Sequence, residues 1–189
     1  MMRCLSLVPD HLFRGSRMTH EDLGLVLEAR SNHQTLQALT FASRQSLNQI
    51  QASLKMEQFG AESQVHAFYL RNHALNVAVL IILNRVLFAL DIAASWNLFQ
   101  EAKELSNEIV ALAHEAERYA PLGSFYVAFC LCTAWIGFSD GDQRKLVESS
   151  LLYFYNEIET ATLVDVLRVK VQELEDLRTV RASLIDVAF

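Results

Sequence analysis

One run of residues without a single charge, Tyr119–Ser139, constrains the fold more than any other feature of this chain. It reads YAPLGSFYVAFCLCTAWIGFS and is followed at once by the polar sequence Asp140–Arg144. A segment this apolar is either a membrane span or a buried helix of a bundle, since about 18 apolar residues can cross a bilayer. Gly123, Ser124 and Thr133 interrupt the run, and its flanks show no one-sided excess of basic residues. We therefore favour a buried helix over a membrane span.

Composition and charge narrow the class of protein. With 189 residues, of which 52 % are apolar and 20 % charged, the chain is long enough for one domain with a sizeable core. The formal net charge of −6 and the scattered basic residues argue against direct binding of nucleic acid. Three cysteines, an odd number, do not suggest a disulfide framework. We expect reduced thiols and a cytoplasmic or nuclear protein.

Helical periodicity, with only six glycines and two prolines, predicts an all-α fold. We predict a single-domain bundle of about six or seven helices over residues 1–189, with 1–17 as a possible loosely ordered segment and a central pair of apolar helices. The predicted helices cover approximately residues 19–30, 31–59, 62–90, 95–119, 121–138, 142–159 and 160–189. Gly60 is expected to end the second helix, Pro121 to lie in the first turn of the fifth, and Asp140 or Asp142 to cap the sixth.

Two amphipathic helices carry patterns that bear on partners. On the helix predicted for residues 95–119, one face is charged; its members are Glu101, Lys103, Glu104, Glu108 and Glu117. We interpret this face as solvated. The helix predicted for residues 160–189 has a near-heptad apolar stripe that is typical of a bundle wall, with a homo-oligomer contact as the alternative.

The segment Trp96–Ile158 resembles the carboxy-terminal part of the fungus-specific transcription factor domain. The resemblance lies in the Ala-rich amphipathic helix Leu98–Tyr119, the opening Pro121–Gly123 of an apolar helix Phe125–Phe138, and the polar break Ser139–Arg144 before a further helix. It implies a fungal origin and an all-helical regulatory domain that responds to a ligand or a partner protein.

The chain departs from this family at several positions. Upstream, Leu83-Asn84-Arg85 stands where the family tends to have Leu-His-Arg-Pro, so that Asn84 replaces the histidine and Val86 the proline. The binuclear zinc cluster that precedes such domains needs a cysteine-rich basic segment, whereas this chain has three cysteines in all. The resemblance thus implies a regulatory domain without the part that reads DNA.

Polar side chains recur on the two predicted central helices, where apolar ones would be expected. Helical spacing brings His73, Asn76 and Asn84 to one face of the first helix, and Tyr126, Cys130, Thr133 and Gly137 to one face of the second. They either satisfy each other by hydrogen bonds or line a cavity for a mostly apolar ligand. The candidate ligand-binding residues are Asn72, His73, Asn76, Asn84, Arg85, Tyr126, Phe129, Cys130, Thr133 and Trp135.

Two functions are compatible with these patterns. The first is a stand-alone fungal transcription-factor-like regulatory domain that binds a hydrophobic small molecule or a partner protein. The alternative is a cofactor-free enzyme of fungal natural-product biosynthesis, a cyclase or pericyclase of the Diels-Alder type, which needs a shaped apolar pocket and a few hydrogen-bond donors. The candidate donors are Arg85, His73, Tyr126 and Trp135.

Metal and cofactor chemistry find no sequence signature. His66 and His73 are seven residues apart and could share a helix face, but no carboxylate lies beside them at ligand spacing. The sequence contains no nucleophile elbow and no glycine-rich phosphate loop. We predict no metal site and no cofactor.

Overall fold

The computed structural model describes residues 20–53, 61–90, 96–119 and 124–186, and these ranges contain α-helices and no β-strand. The predicted all-α bundle is confirmed. The helices are α1 (His20–Ser53), α2 (Ala61–Leu90), α3 (Trp96–Ala116), α4 (Ser124–Gly137), α5 (Gly141–Leu151) and α6 (Glu157–Asp186), with a short 3₁₀ turn at Glu117–Tyr119. The segment 1–17 and the positions Gly60 and Pro121 lie outside the described residues.

The two apolar helices α2 and α4 form the centre of the bundle, as predicted. Helix α2 packs against α1, α3, α4 and α6, and α4 packs against α2, α3, α5 and α6. All nine residues of 130–138 are buried, so the uncharged stretch lies inside the protein. The stripe of α6, with Leu167, Val171 and Leu177 buried, contacts the bundle and forms one of its walls.

A glycine sets the distance between the central helices. An added Cβ atom at Gly137 of α4 would lie 2.0 Å from Ser106 Oγ and 3.0 Å from the carbonyl oxygen of Ala102, both on α3. It would also lie 3.0 Å from Ile81 Cγ2 of α2. The three helices therefore meet at a point where only a hydrogen atom fits.

The polar break after α4 is a capped helix start. Asp140 is the N-cap of α5, and its side chain accepts a hydrogen bond of 2.9 Å from the backbone N–H of Asp142. On the next turns, Glu148 accepts a 2.9 Å hydrogen bond from Trp135 Nε1, and the guanidinium of Arg144 lies 4.3 Å from the Trp135 ring centroid. These contacts attach α5 to the buried end of α4.

Two predicted boundaries are wrong. Residues 19–59 were expected to form two helices, but α1 is continuous through Ser31, whose carbonyl accepts a hydrogen bond from the Thr35 hydroxyl. Helix α5 ends at Leu151 and not at Glu159, because Asn156 and Glu159 form a reciprocal capping box that starts α6. Serine and asparagine were read as a helix start in the first case, and the actual cap was overlooked in the second.

Among the described residues, one helix is long and apolar enough to cross a membrane, and it is Ser63–Leu90 of α2. The uncharged stretch supplies a helix of only 14 residues, α4. In α2, 61 % of the most apolar segment is buried inside the bundle, as expected for the core helix of a folded domain.

Replacement of Gly137 by alanine should destabilise the fold by about 1–3 kcal/mol, because the new methyl group overlaps Ser106 and the backbone of α3. Gly24→Ala in α1 is the matched control: nothing lies within 4 Å of its added Cβ, so it should stabilise by up to about 1 kcal/mol. Urea unfolding measures both. Equal effects of the two substitutions would contradict the close approach at Gly137.

Candidate functional site

Three polar contacts join α1 to α3, each offset by 64 residues. They are Gln37 to Glu101 (2.8 Å), Arg44 to Glu108 (2.9 Å, with a second contact from Nη2) and Gln51 to Glu115 (2.7 Å). The constant offset shows that α1 and α3 run parallel. We call Glu101, Glu108 and Glu115 with their partners the glutamate ladder; its rungs stand roughly 10.5 Å apart, the rise of seven helical residues.

A buried histidine faces each carboxylate of the glutamate ladder. The pairs are His33–Glu101 (3.5 Å), His73–Glu108 (2.9 Å) and His66–Glu115 (3.4 Å) between Nε2 and a carboxylate oxygen. Two of the histidines come from α2, which runs antiparallel to α3. At the next position of the series α2 carries Leu80, and there His33 of α1 supplies the imidazole. The glutamate ladder is therefore built from three helices.

The middle rung has the most contacts. The His73 side chain is 1 % exposed; its Nε2 meets Glu108, and its Nδ1 lies 2.8 Å from the hydroxyl of Ser43 on α1. Arg44 approaches both oxygens of the same carboxylate, a bidentate geometry that is among the stronger polar contacts of proteins. Glu108 thus connects α1 and α2 to α3 at one point.

The charges of the glutamate ladder are mutually stabilised. Burial alone would raise the pKa of Glu101, but hydrogen bonding to His33 and Gln37 outweighs it, and the pKa lies below its ordinary value. Glu108 behaves likewise, since His73 and Arg44 outweigh its burial and lower its pKa. The Glu101 carboxylate raises the pKa of His33. Both carboxylates are accordingly ionised at neutral pH.

Two tyrosines close the far end of the glutamate ladder. The Tyr119 hydroxyl is in hydrogen-bond contact with His66 Nδ1, and burial lowers the pKa of His66. Burial raises the pKa of Tyr119, and it raises the pKa of Tyr126 to about 12. At neutral pH both phenols therefore remain protonated.

The polar row predicted on α2 divides among several neighbours. His73 belongs to the glutamate ladder. Asn84 is fully buried close to His33 and Glu101, and neither atom of its amide makes a hydrogen bond. Arg85 is 5 % exposed, its Nε is without a hydrogen-bond partner, and its guanidinium lies 5.0 Å from the ring centroid of Phe99 on α3. Asn72 and Asn76 are half-buried.

The polar row predicted on α4 is largely satisfied by backbone. Cys130 Sγ donates to the carbonyl of Ala74 on α2 at 3.6 Å, and Thr133 Oγ1 donates to the carbonyl of Cys130 at 2.7 Å. Burial raises the pKa of the Cys130 thiol to about 12, so it is not a nucleophile at neutral pH. Phe129 is half-buried against the core. The side chains of His73 and Thr133 thus bond elsewhere and not to each other's row.

The four candidate donors do not share one set of neighbours. His73 meets α1 and α3, Arg85 lies over Phe99, and Trp135 donates to α5. On α4, Tyr126 and Trp135 stand nine residues apart, roughly 13.5 Å along the helix. A common cavity for the ten candidate residues remains a prediction.

Two grooves are lined by other residues. The first, about 290 Å³, lies between α1 and α3, and we call it the ladder groove; its lining is Gln37, Thr40, Phe41, Arg44, Leu80, Glu101, Glu104, Leu105 and Glu108. The second, about 270 Å³, lies between α3, α4 and α5, with Leu131 at its floor and the exposed Leu146 and Tyr153 at its rim.

Sequence reasoning missed the glutamate ladder. Glu101 and Glu108 were assigned to a solvated face, yet both bond to buried histidines. The signal was a shared seven-residue spacing on three segments: Gln37, Arg44 and Gln51; His66 and His73; Glu101, Glu108 and Glu115. Within the described ranges, no cluster of three or more His, Cys, Asp or Glu side chains is placed to hold a metal ion.

Comparison of the chain with protein-family models, with curated proteins and with solved structures finds no match. The residues and contacts of the chain itself therefore carry every statement about its function.

Glu108→Gln should lower the free energy of unfolding by about 1.5–3 kcal/mol, because buried His73 and Arg44 lose their shared anion. The control is Glu117→Gln, whose side chain is 58 % exposed and pairs only with the exposed His114; it should change stability by less than about 0.5 kcal/mol. Chemical denaturation at neutral pH measures both. A loss below about 0.5 kcal/mol for Glu108→Gln would show that the middle rung contributes little.

His33→Gln should reveal a pH-dependent contribution at the first rung. The pKa of His33 is raised in the folded protein, so its pairing with Glu101 stabilises fully below the unfolded-state pKa, about 6.5, and is lost as pH rises through the higher folded value. The stability difference between wild type and variant should therefore shrink from pH 6 towards pH 9, as thermal unfolding can measure. His114→Gln, at a 64 % exposed side chain, is the control. A difference that grows with pH would refute the assignment.

Proposed function

We propose that this chain is a regulatory binding domain, of the kind that the fungal transcription-factor resemblance implies, acting in the cytoplasm or nucleus. It binds a small molecule or a partner protein and does not contact DNA itself. In this proposal α1 is the responsive element, and its docking on α2 and α3 changes when the ligand or partner binds.

The observation that carries the proposal is the mixed character of the buried line of α1. Four residues spaced by seven form this line: Val26, His33, Thr40 and Leu47. Two are polar, and a fully buried Val or Leu contributes only about 1.5–3 kcal/mol. Helix α1 spans 34 residues, so little apolar burial holds a long element.

The remaining attachment of α1 is polar and partly exposed. Arg44 keeps 43 % of its side chain exposed and Glu108 keeps 23 %. The backbone of α1 packs on α2, while α1 and α3 meet mainly through the long side chains of the glutamate ladder. Elements with few buried apolar contacts open at lower free energy than the core.

An element with two accessible arrangements is what a regulatory domain requires, because a ligand shifts an equilibrium only by its differential affinity for two states. The central helices do not offer this. In α2, Leu70, Val77 and Ile81 are fully buried and hold the helix inside the bundle. The responsive part is therefore placed at α1.

The cofactor-free cyclase is the second candidate function, and one observation favours it. Asn84 and Arg85 are buried polar side chains with atoms that make no hydrogen bond, and Arg85 lies beside the rings of Phe88 and Phe99. Unpaired donors next to aromatic surface could polarise a carbonyl of an apolar substrate. This candidate needs a cavity at that point.

The experiment replaces the gene in its source organism by the Glu108→Gln variant, with Glu117→Gln as the control and a full deletion alongside. The regulatory proposal expects altered transcript levels in the deletion and the Glu108→Gln strain, at equal protein abundance, but not in the control. If transcripts stay unchanged and a late metabolic precursor accumulates in the deletion, the domain is an enzyme and the regulatory proposal is wrong.

A further inference from the structure

The ladder groove has the shape and charge of a ligand site between α1 and α3. Its floor is Leu80 of α2, and its two ends are closed by the rungs Gln37–Glu101 and Arg44–Glu108. It forms because α1 and α3 both pack on α2 while their own backbones stay apart. At about 290 Å³ it holds a ligand of roughly ten non-hydrogen atoms, at about 30 Å³ for each.

Three carboxylates face the ladder groove, and one of them is uncommitted. Glu101 and Glu108 are engaged in the rungs, whereas Glu104, one turn from each, has no ion-pair partner among the residues that the structure describes. Arg44 is the one guanidinium in the lining. The groove therefore carries an excess of negative charge next to an apolar floor.

A second, independent feature points into the same groove. Thr40 lines it and is 3 % exposed, yet its hydroxyl makes no hydrogen bond within the protein. A buried hydroxyl without a partner costs stability unless something else satisfies it. Beside it, Phe41 presents its ring with 59 % of the residue exposed. An acceptor, an anion and an aromatic face thus lie together.

We propose that the ladder groove binds a primary alkylammonium group. The ammonium donates to the Glu104 carboxylate and to Thr40 Oγ1, and the alkyl stem lies on Leu80 and Leu105 beside the ring of Phe41. An ammonium is a compact group with three donors on a slim stem, so it can reach a hydroxyl deep in a groove, where a planar guanidinium fork does not fit.

This inference deepens the proposed function, because a ligand that contacts Thr40 and Phe41 on α1 and Glu104 on α3 binds only when α1 is docked. It names the chemistry that would hold α1 in place. The ammonium could belong to a free aliphatic amine or to a lysine of a partner protein, and both sources present the same group.

The test is a calorimetric titration of the full chain with pentylamine, with pentanol as the uncharged control and with acetyl-lysine methylamide as the mimic of a protein lysine. Saturable binding of pentylamine or of the lysine mimic, without binding of pentanol, supports the site, and the tighter of the two identifies the source. Absence of binding by both amines, or equal binding of pentanol, overturns the proposal.

Two variants make the test specific. Glu104→Gln should weaken amine binding about tenfold, as expected for loss of a charge-assisted contact, while the distant exposed Glu157→Gln should leave it unchanged. Thr40→Val should weaken binding and also raise the melting temperature of the free protein, because an unpaired buried hydroxyl is removed. The exposed Thr162→Val is its control. Unchanged binding in both groove variants contradicts the site.

Hydrogen exchange of the free protein separates this inference from the proposed function. Faster exchange in α1 than in α2 and α4 is expected if α1 is the labile element. If α1 exchanges as slowly as α2 but amines bind, the ammonium site stands and the regulatory role of α1 fails. If α1 is labile and no amine binds, the ammonium site alone fails.

Discussion

The cost of placing charged groups away from water is the constraint on which the arrangement of the first three helices depends. An ion that loses its hydration must find an opposite charge and hydrogen bonds at once, or the fold loses several kcal/mol. Glu108 meets this requirement by accepting from Arg44 of α1 and from His73 of α2. Its neighbours on α3 repeat the solution with different partners. Polar pairing therefore sets how α1 and α3 lie relative to α2, while apolar packing decides that they lie there at all.

The fold class and the two central helices could be predicted because they depend on local information. An uncharged stretch has to be buried wherever the other helices go, and α4 is buried along its last nine residues, 130–138, and the residue that follows its end. The glutamate ladder depends on non-local information. Glu101 looks like a surface residue on its own helix, and only the position of α1, more than sixty residues earlier, makes it a buried partner. A shared spacing of seven was visible, but a single sequence does not say which faces meet.

The candidate site illustrates the same limit. Helical spacing correctly placed His73 and Asn84 in the interior, yet their neighbours came from α1 and α3 and not from the second polar row on α4. Cys130 and Thr133 found backbone carbonyls instead, which are present on any helix and leave no trace in the sequence. The helix boundaries failed for a related reason, since serine and asparagine occur both within helices and at their caps. Only the reciprocal pair Asn156 and Glu159 distinguishes the two.

The repetition of the glutamate ladder also creates an ambiguity that the protein has to resolve. Because the rungs and the buried line of α1 share one period, sliding α1 by seven residues would bring Arg44 to Glu115 and Gln37 to Glu108 with similar geometry. In that position His33 would arrive at Glu108, where His73 is already bound, and one carboxylate would face two imidazoles. Leu80 removes this conflict at the first rung only, since it leaves room there for the imidazole of α1. A single leucine in the histidine series of α2 therefore selects one alignment of a 34-residue helix, much as one buried polar residue selects the register of a coiled coil.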